Sequence, residues 1–272
     1  MTTGMNAGIG TVPGSLETAT RAARDDGRKL LAAYVTGGIT EDWTDYLRAS
    51  EQAGADVLEI GLPFSDPMLD GPTIQRASDR ALSRGATVGR ILGDVAALEL
   101  SVPLVAMTYA NLVFHDGPDR FCGALRDAGV TGLIVPDVPV DEVAQLSGTA
   151  RRHGVDLVLL AAPSTGSERR REIARRSRGF VYAVSLMGTT GERAELHDSG
   201  PELARSLKKL TDLPVLLGFG ISDPDQAAAA ARSADGVVVA SALMRRVLDG
   251  AGATEIGARV ARMRAALDST GG

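Results

Sequence analysis

Eight short apolar runs recur down the chain: LLAAYV (30–35), VLEIG (57–61), PLVAMTY (103–109), GLIVP (132–136), LVLLAA (157–162), FVYAV (180–184), PVLLGFG (214–220) and GVVVA (236–240). Each is apolar with little alternation, the pattern of a strand buried on both faces. Between them lie segments with helical spacing, such as EDWTDYLRASEQAG (41–54), DRFCGALRDAG (119–129) and DEVAQLSGTARRHG (141–154). The junctions repeat as well. EQAGADVLEI, RDAGVTGLIV and RSADGVVVA each stop a helix and start a strand at once. Eight strands alternating with helices in 272 residues favour a closed (β/α)8 TIM barrel over an open doubly wound sheet. No linker divides the chain, so 15–272 reads as one barrel domain. Residues 1–14 are small, Gly-rich and uncharged, and read as a flexible N-terminus. SLETATRAARDDG (15–27) reads as an extra N-terminal helix across the barrel floor.

A net charge of −5 leaves no basic footprint for nucleic acid. The run RRREIARR (169–176) fits a solvated helix face. No apolar run approaches the ~20 residues of a membrane span, so no membrane association is expected. One cysteine, Cys122, excludes an intramolecular disulfide framework and fits a reducing compartment, which makes the cytoplasm the expected location. On its helix, Cys122 reads as a small core residue.

Barrel active sites sit at the C-terminal ends of the strands. Polar residues and glycines gather there: Thr36, Glu59 to Asp70, Asn111, Asp137, Ser164, Ser185 to Gly191, Gly218 to Gly220 and Ser241. Some chemistry is missing from that end. The three lysines, Lys29, Lys208 and Lys209, precede strands, so a Schiff-base aldolase lacks its nucleophile. Of the three histidines, His153 falls at the floor end of a helix, and His115 and His197 fall in separate loops without ligand-like spacing. No metal is expected. Carboxylates remain.

Two features point to the substrate and the chemistry. LLGFGISDP (216–224) and VVVASALMRR (237–246) each end a strand in small residues and open a helix. The loops after strands seven and eight of such barrels bind phosphate through backbone N–H groups at helix N-termini. In DVLEIGLPFSDPMLDGPTIQ (56–75), Glu59 falls inside an apolar strand, where burial raises a carboxyl pKa and suits it to proton transfer near neutral pH. Asp70 ends a loop stiffened by Pro63, Pro67 and Pro72 that can return it to the same cavity. The residues by themselves reach a phosphorylated substrate and an acid–base pair.

The string EIGLPFSDPMLDGPTIQ closely resembles the signature of the tryptophan synthase alpha subunit family around its two catalytic acids. The likeness continues through TYANLVF (108–114), VPDVPVDE (135–142), SLMGTTG (185–191), LLGFGIS (216–222) and ASA (240–242), and so covers essentially the whole barrel. The resemblance implies retro-aldol cleavage of indole-3-glycerol phosphate to indole and glyceraldehyde 3-phosphate. This chain would need no cofactor. A pyridoxal-phosphate beta subunit would be its partner, in an alpha2beta2 heterotetramer. By matching position, Glu59 would be the general acid–base and Asp70 the partner of the indole N–H. Tyr182 and Thr190 would orient the acids and close the site. Tyr34, Tyr109 and Asp137 would line the indole pocket or lie beside it, and Gly191, Gly220 and Ser241 would hold the phosphate. Pro63, Asp66, Asn111 and Pro139 would meet the partner. Three positions depart from the family pattern: Ala240 replaces a common glycine, Tyr34 a common phenylalanine, and Leu186 a commonly polar residue. A stand-alone indole-releasing lyase and a mainly regulatory subunit are the alternative readings.

Overall fold

The computed structural model describes residues 16–184, 196–218 and 220–270. Eight parallel strands close into a barrel in sequence order: β1 (Leu30–Thr36), β2 (Val57–Gly61), β3 (Leu104–Met107), β4 (Val130–Ile134), β5 (Asp156–Ala161), β6 (Val181–Val184), β7 (Val215–Gly218) and β8 (Gly236–Val239). Every apolar run of the sequence lies on one of them. β8 closes on β1 through Leu30 opposite Gly236 and Ala32 opposite Val238.

Side chains of a strand alternate between its two faces. One set turns inward: Leu30, Ala32, Val57, Val105, Ile134, Val158, Phe180, Leu216 and Val238 form a cluster inside the barrel. The other set, including Leu31, Leu58, Ile60, Leu133 and Val237, packs against the surrounding helices. With Val57 facing inward, the same alternation turns Glu59 and Gly61 inward too. A charged residue thereby enters the interior by register alone.

The N-terminal helix α1 (Leu16–Asp25) caps the floor, as its sequence suggests. Leu16 is fully buried in the interior cluster. A Cβ on Gly179 would come within 2.5 Å of Leu16 Cδ2, so a glycine there leaves the plug its room. The helix is pinned by Thr20 Oγ1 donating to the Gly179 carbonyl at 2.7 Å and by Asp156 accepting the Glu17 N–H at 2.8 Å.

The repeated helix-stop, strand-start junctions have a physical basis at the same end. Asp56 accepts the Leu31 N–H at 2.8 Å and Asp235 the Val215 N–H at 2.9 Å. Each aspartate ties the start of its strand to the strand before it. Asp56 is paired with Arg264 at 3.0 Å and Asp235 with Lys208 at 2.6 Å, which offsets their burial. Cys122 is fully buried in the core. Arg175 and Arg176 of α8 (Ser167–Arg176) pair with Glu172 on a solvated face.

Several local expectations change. PLVAMTY ends as a strand at Met107, and Tyr109 caps a short helix, α5 (Ala110–His115), placing Asn111 in its first turn. The apolar residues of ANLVFH continue those of the strand, so only the backbone marks the boundary. His115 therefore ends a helix. Helix α9 runs from Leu196 to Lys208, so His197 belongs to a helix rather than to a loop. No helix among the described residues is long and apolar enough to cross a membrane.

Candidate active site

Two acids share the mouth of the barrel. Glu59 is only 1% exposed, and its Oε2 has no hydrogen-bond partner among the described residues. Burial, and then the nearby charge of Asp70, push the Glu59 carboxyl up to about 8. Asp70 reaches the same cavity from the loop between β2 and α3 (Pro72–Ser83). Burial raises its pKa too, against the lowering effect of a hydrogen bond from Tyr109 Oη at 3.0 Å. Of the two acids it is Glu59, the one deeper in the strand, that feels the other's charge and favours its protonated form at neutral pH.

Tyrosines wall this cavity. Tyr34 lies opposite Glu59 in the β1–β2 register, and its hydroxyl accepts from Thr36 Oγ1 at 3.3 Å. Tyr182 on β6 is buried, and its hydroxyl is held protonated by burial first and then by the charge of Glu59. Both rings lie where a neighbouring strand carries glycine. A Cβ on Gly61 would stand 1.9 Å from Tyr34 Oη, and one on Gly218 would stand 2.3 Å from Tyr182 Cε2. Neither ring keeps its place beside alanine. Sequence reading placed Gly218 and the segment containing Gly61 at the mouth but did not see that each makes room for a tyrosine, although Gly61 shares its face with Glu59 by strand alternation.

Tyr109 organises the lid loop. Its hydroxyl accepts the Leu69 N–H at 3.1 Å while donating to Asp70, and its ring stacks on Phe64 with centroids 5.4 Å apart. Asp137 accepts the Ala110 N–H at 2.9 Å and thereby caps α5 from the next loop. It thus lies beside the cavity, where its charge helps raise the Tyr109 pKa.

On the other side of the mouth, Gly220 adopts φ +67, a left-handed conformation that favours glycine. Helix α10 (Pro224–Ala231) follows it, capped by Asp223. Ser241 is the first residue of α11 (Ser241–Leu248) and is exposed. Its predecessor Ala240 takes φ −118, so the backbone there does not adopt the left-handed conformation that would favour a glycine. Helix N-termini with small exposed residues can hold an anion through backbone N–H groups. Thr190, Gly191 and Leu186 lie outside the described residues.

Of the residues expected to meet a partner, Asp66, Asn111 and Pro139 are exposed around the mouth, whereas Pro63 is buried. Its ring packs into the chain rather than outward. Sequence reading also missed three exposed apolar side chains, Met68 (79%), Leu69 (55%) and Phe114 (43%), on the lid loop and on α5. A cleft of about 540 Å³ between α2 (Trp43–Gln52) and α12 (Ala253–Asp268) lies on the outer surface, away from these acids. No group of three or more metal-ligating side chains occurs among the described residues.

Comparisons with known proteins agree with this geometry. The family model described as "Tryptophan synthase alpha chain" matches residues 20–268. The tryptophan synthase alpha chain of Prochlorococcus marinus (strain MIT 9313) is 44% identical over 227 residues, 82% of each chain. That of Carboxydothermus hydrogenoformans is 45% identical over 226 residues, 81% of this chain and 84% of the relative. The crystal structure of tryptophan synthase subunit alpha from Legionella pneumophila str. Paris superposes with a TM-score of 0.85 at 31% identity, covering 93% of this chain and 98% of that one. A chain of Mycobacterium tuberculosis tryptophan synthase superposes at 0.84 with 37% identity, covering 93% and 97%. With its barrel, its paired acids and its near full-length matches, the chain belongs to the tryptophan synthase alpha chain family.

Proposed function

We propose that the chain is a lyase that cleaves indole-3-glycerol phosphate to indole and glyceraldehyde 3-phosphate, with no cofactor of its own. The observation that carries this reading is Glu59. It is a buried carboxyl with a pKa raised to about 8, in one cavity with Asp70 and with an oxygen free to act. Protonated Glu59 gives its proton to indole C3, and the ring nitrogen takes up the positive charge. Asp70 accepts the indole N–H and stabilises that charge. The carboxylate left on Glu59 then accepts the proton of the glycerol hydroxyl next to the ring. The carbon–carbon bond breaks, its electron pair returns to the ring, and the carbinol carbon becomes the aldehyde. The ring is thus its own electron sink. Gly220 and Ser241, with Gly191, hold the phosphate, and Tyr182 and Thr190 orient the acids.

The partner is a pyridoxal-phosphate beta subunit, in an alpha2beta2 assembly that consumes the indole in tryptophan biosynthesis. Asp66, Asn111 and Pro139, together with exposed Met68, Leu69 and Phe114, form the surface that supports this reading. An apolar cluster rimmed by polar residues is the composition of a protein interface.

The test is to incubate the purified chain with indole-3-glycerol phosphate, alone and with a beta subunit, and to measure both products. Equimolar indole and glyceraldehyde 3-phosphate are expected. Failure to form either in both conditions rejects the reading.

A further inference from the structure

The site holds a second hydroxyl pair that the chemistry above does not use. Tyr34 and Glu59 face each other across β1 and β2, and their side chains project from the same face of the sheet. The Tyr34 ring runs along β2 until its hydroxyl stands over Gly61, at 1.9 Å from the place of a Cβ. Gly61 is the next residue after Glu59 on that face. The tyrosine hydroxyl therefore lies on the face from which Glu59 projects, over the position that follows it toward the mouth, without bonding it in this structure.

Hydrogen-bond accounting narrows what this hydroxyl does. Thr36 Oγ1 donates to Tyr34 Oη at 3.3 Å, and both residues are buried, Thr36 fully and Tyr34 to 4% exposure. A hydroxyl that accepts from one side retains its own proton to donate. Glu59 Oε2 is the buried acceptor in that region without a partner. A buried donor and a buried acceptor left apart each carry a desolvation penalty that pairing removes.

We propose that Tyr34 is a positioning residue whose hydroxyl, itself oriented by Thr36, donates to Glu59 Oε2 whenever that carboxyl is ionised. The interaction rests on the proposed role of Glu59 as the proton carrier. It holds the carboxylate in one rotamer between giving up its proton and taking the next. Among the described residues, the titratable groups around Glu59 are Asp70 from the loop after β2 and Tyr34 and Tyr182 from β1 and β6, with Tyr109 beyond Asp70. None supplies a positive charge. Hydrogen-bond donors are what remain to stabilise the ionised form.

Tyr34→Phe removes only the oxygen and fits the same space, and Thr36→Val removes the group that orients it. For Tyr34→Phe, kcat is expected to fall ~10-fold with KM changed less than ~2-fold, on the scale of a lost bond to a charged group. Losing a donor to the ionised form raises the Glu59 midpoint by ~1 unit. Titration of the glutamate carboxyl carbon by NMR reads this midpoint independently of turnover. Thr36→Val is expected to shift it in the same direction, by less. An unchanged or lowered midpoint in folded Tyr34→Phe overturns the inference. A wild-type chain that leaves indole-3-glycerol phosphate intact defeats the function instead, whatever the Tyr34 titration shows.

Discussion

Tyr109 donates its hydroxyl proton to Asp70 Oδ2 at 3.0 Å and accepts the Leu69 N–H at 3.1 Å, so one oxygen holds both the lid loop and its acid. The loop carrying Asp70 is thereby latched to the end of β3. The Phe64 ring stacked on Tyr109 and Gln75 Nε2, which donates to the Asp70 carbonyl at 2.9 Å, hold the same loop beside that hydroxyl.

Removing that latch has a defined cost. Tyr109→Phe keeps the ring stacked on Phe64 but leaves the Leu69 N–H and Asp70 without their partner. A ~10-fold loss in kcat is expected, the size of one lost hydrogen bond to a charged group. Asp70 should titrate higher, since the bond from Tyr109 holds it down. Wild-type kcat and unchanged amide exchange across 64–70 would show that the latch is idle.

Glu59→Gln tests the acid–base assignment. Turnover should fall at least ~100-fold, the scale of a general acid–base contribution, while substrate still binds. Turnover within a few-fold of wild type rejects the assignment.

The same substitution carries a stability signature. The pKa of Glu59 is raised in the folded chain, so its contribution is intact below the unfolded value near 4.5 and is lost as pH rises toward about 8. Glutamine never ionises. Glu59→Gln should therefore match wild type near pH 4.5 and exceed it by at least ~1 kcal/mol above pH 8, read from denaturant midpoints. Equal stability at both pH values would mean that Glu59 titrates normally.

The wild-type rate should follow the same group. Chemistry that begins with protonated Glu59 keeps kcat/KM level below about 8 for as long as Asp70 stays ionised, and loses it above. A rate that climbs through pH 8 would reverse the order of the proton transfers.

Ser241 opens α11, so Ser241→Asp places a negative charge at the proposed phosphate site. KM for indole-3-glycerol phosphate should rise at least ~10-fold by like-charge repulsion, while affinity for indole, which has no phosphate, changes little. Equal weakening of both ligands would move the phosphate site elsewhere.

A beta subunit is expected to raise turnover at least ~10-fold, a coupling of about 1.4 kcal/mol, by favouring the closed lid. Asp66→Ala should reduce that acceleration more than the basal rate. Met68→Asp, which charges a side chain 79% exposed, should weaken the association itself. Fast indole release by the chain alone, indifferent to any beta subunit, defeats this expectation.

The barrel was legible because parallel strands buried on both faces show as unbroken apolar runs, and all eight did. Glu59 was legible for the complementary reason, as a carboxylate with no place in such a run. Less visible was α5, whose six residues follow the apolar end of β3 without punctuation. The burial of Pro63 was hidden too, since a proline in a loop carries no mark of which way it faces. Gly61 and Gly218 fall within the strand-end segments assigned to the mouth, but the space they leave to Tyr34 and Tyr182 shows only in three dimensions. Such roles belong to pairs of residues far apart in sequence, and a linear reading registers one member at a time.

The helix on the barrel floor also sets an order of assembly. Its contacts are made to Asp156, to the carbonyl of Gly179 and, through Arg21, to the carbonyl of Asp212. None of these exists when α1 leaves the ribosome. This set of hydrogen bonds is complete only once the chain has been made almost to the start of β7. During translation the bonds that fix α1 to the floor are therefore completed only after six of the eight strands have been made.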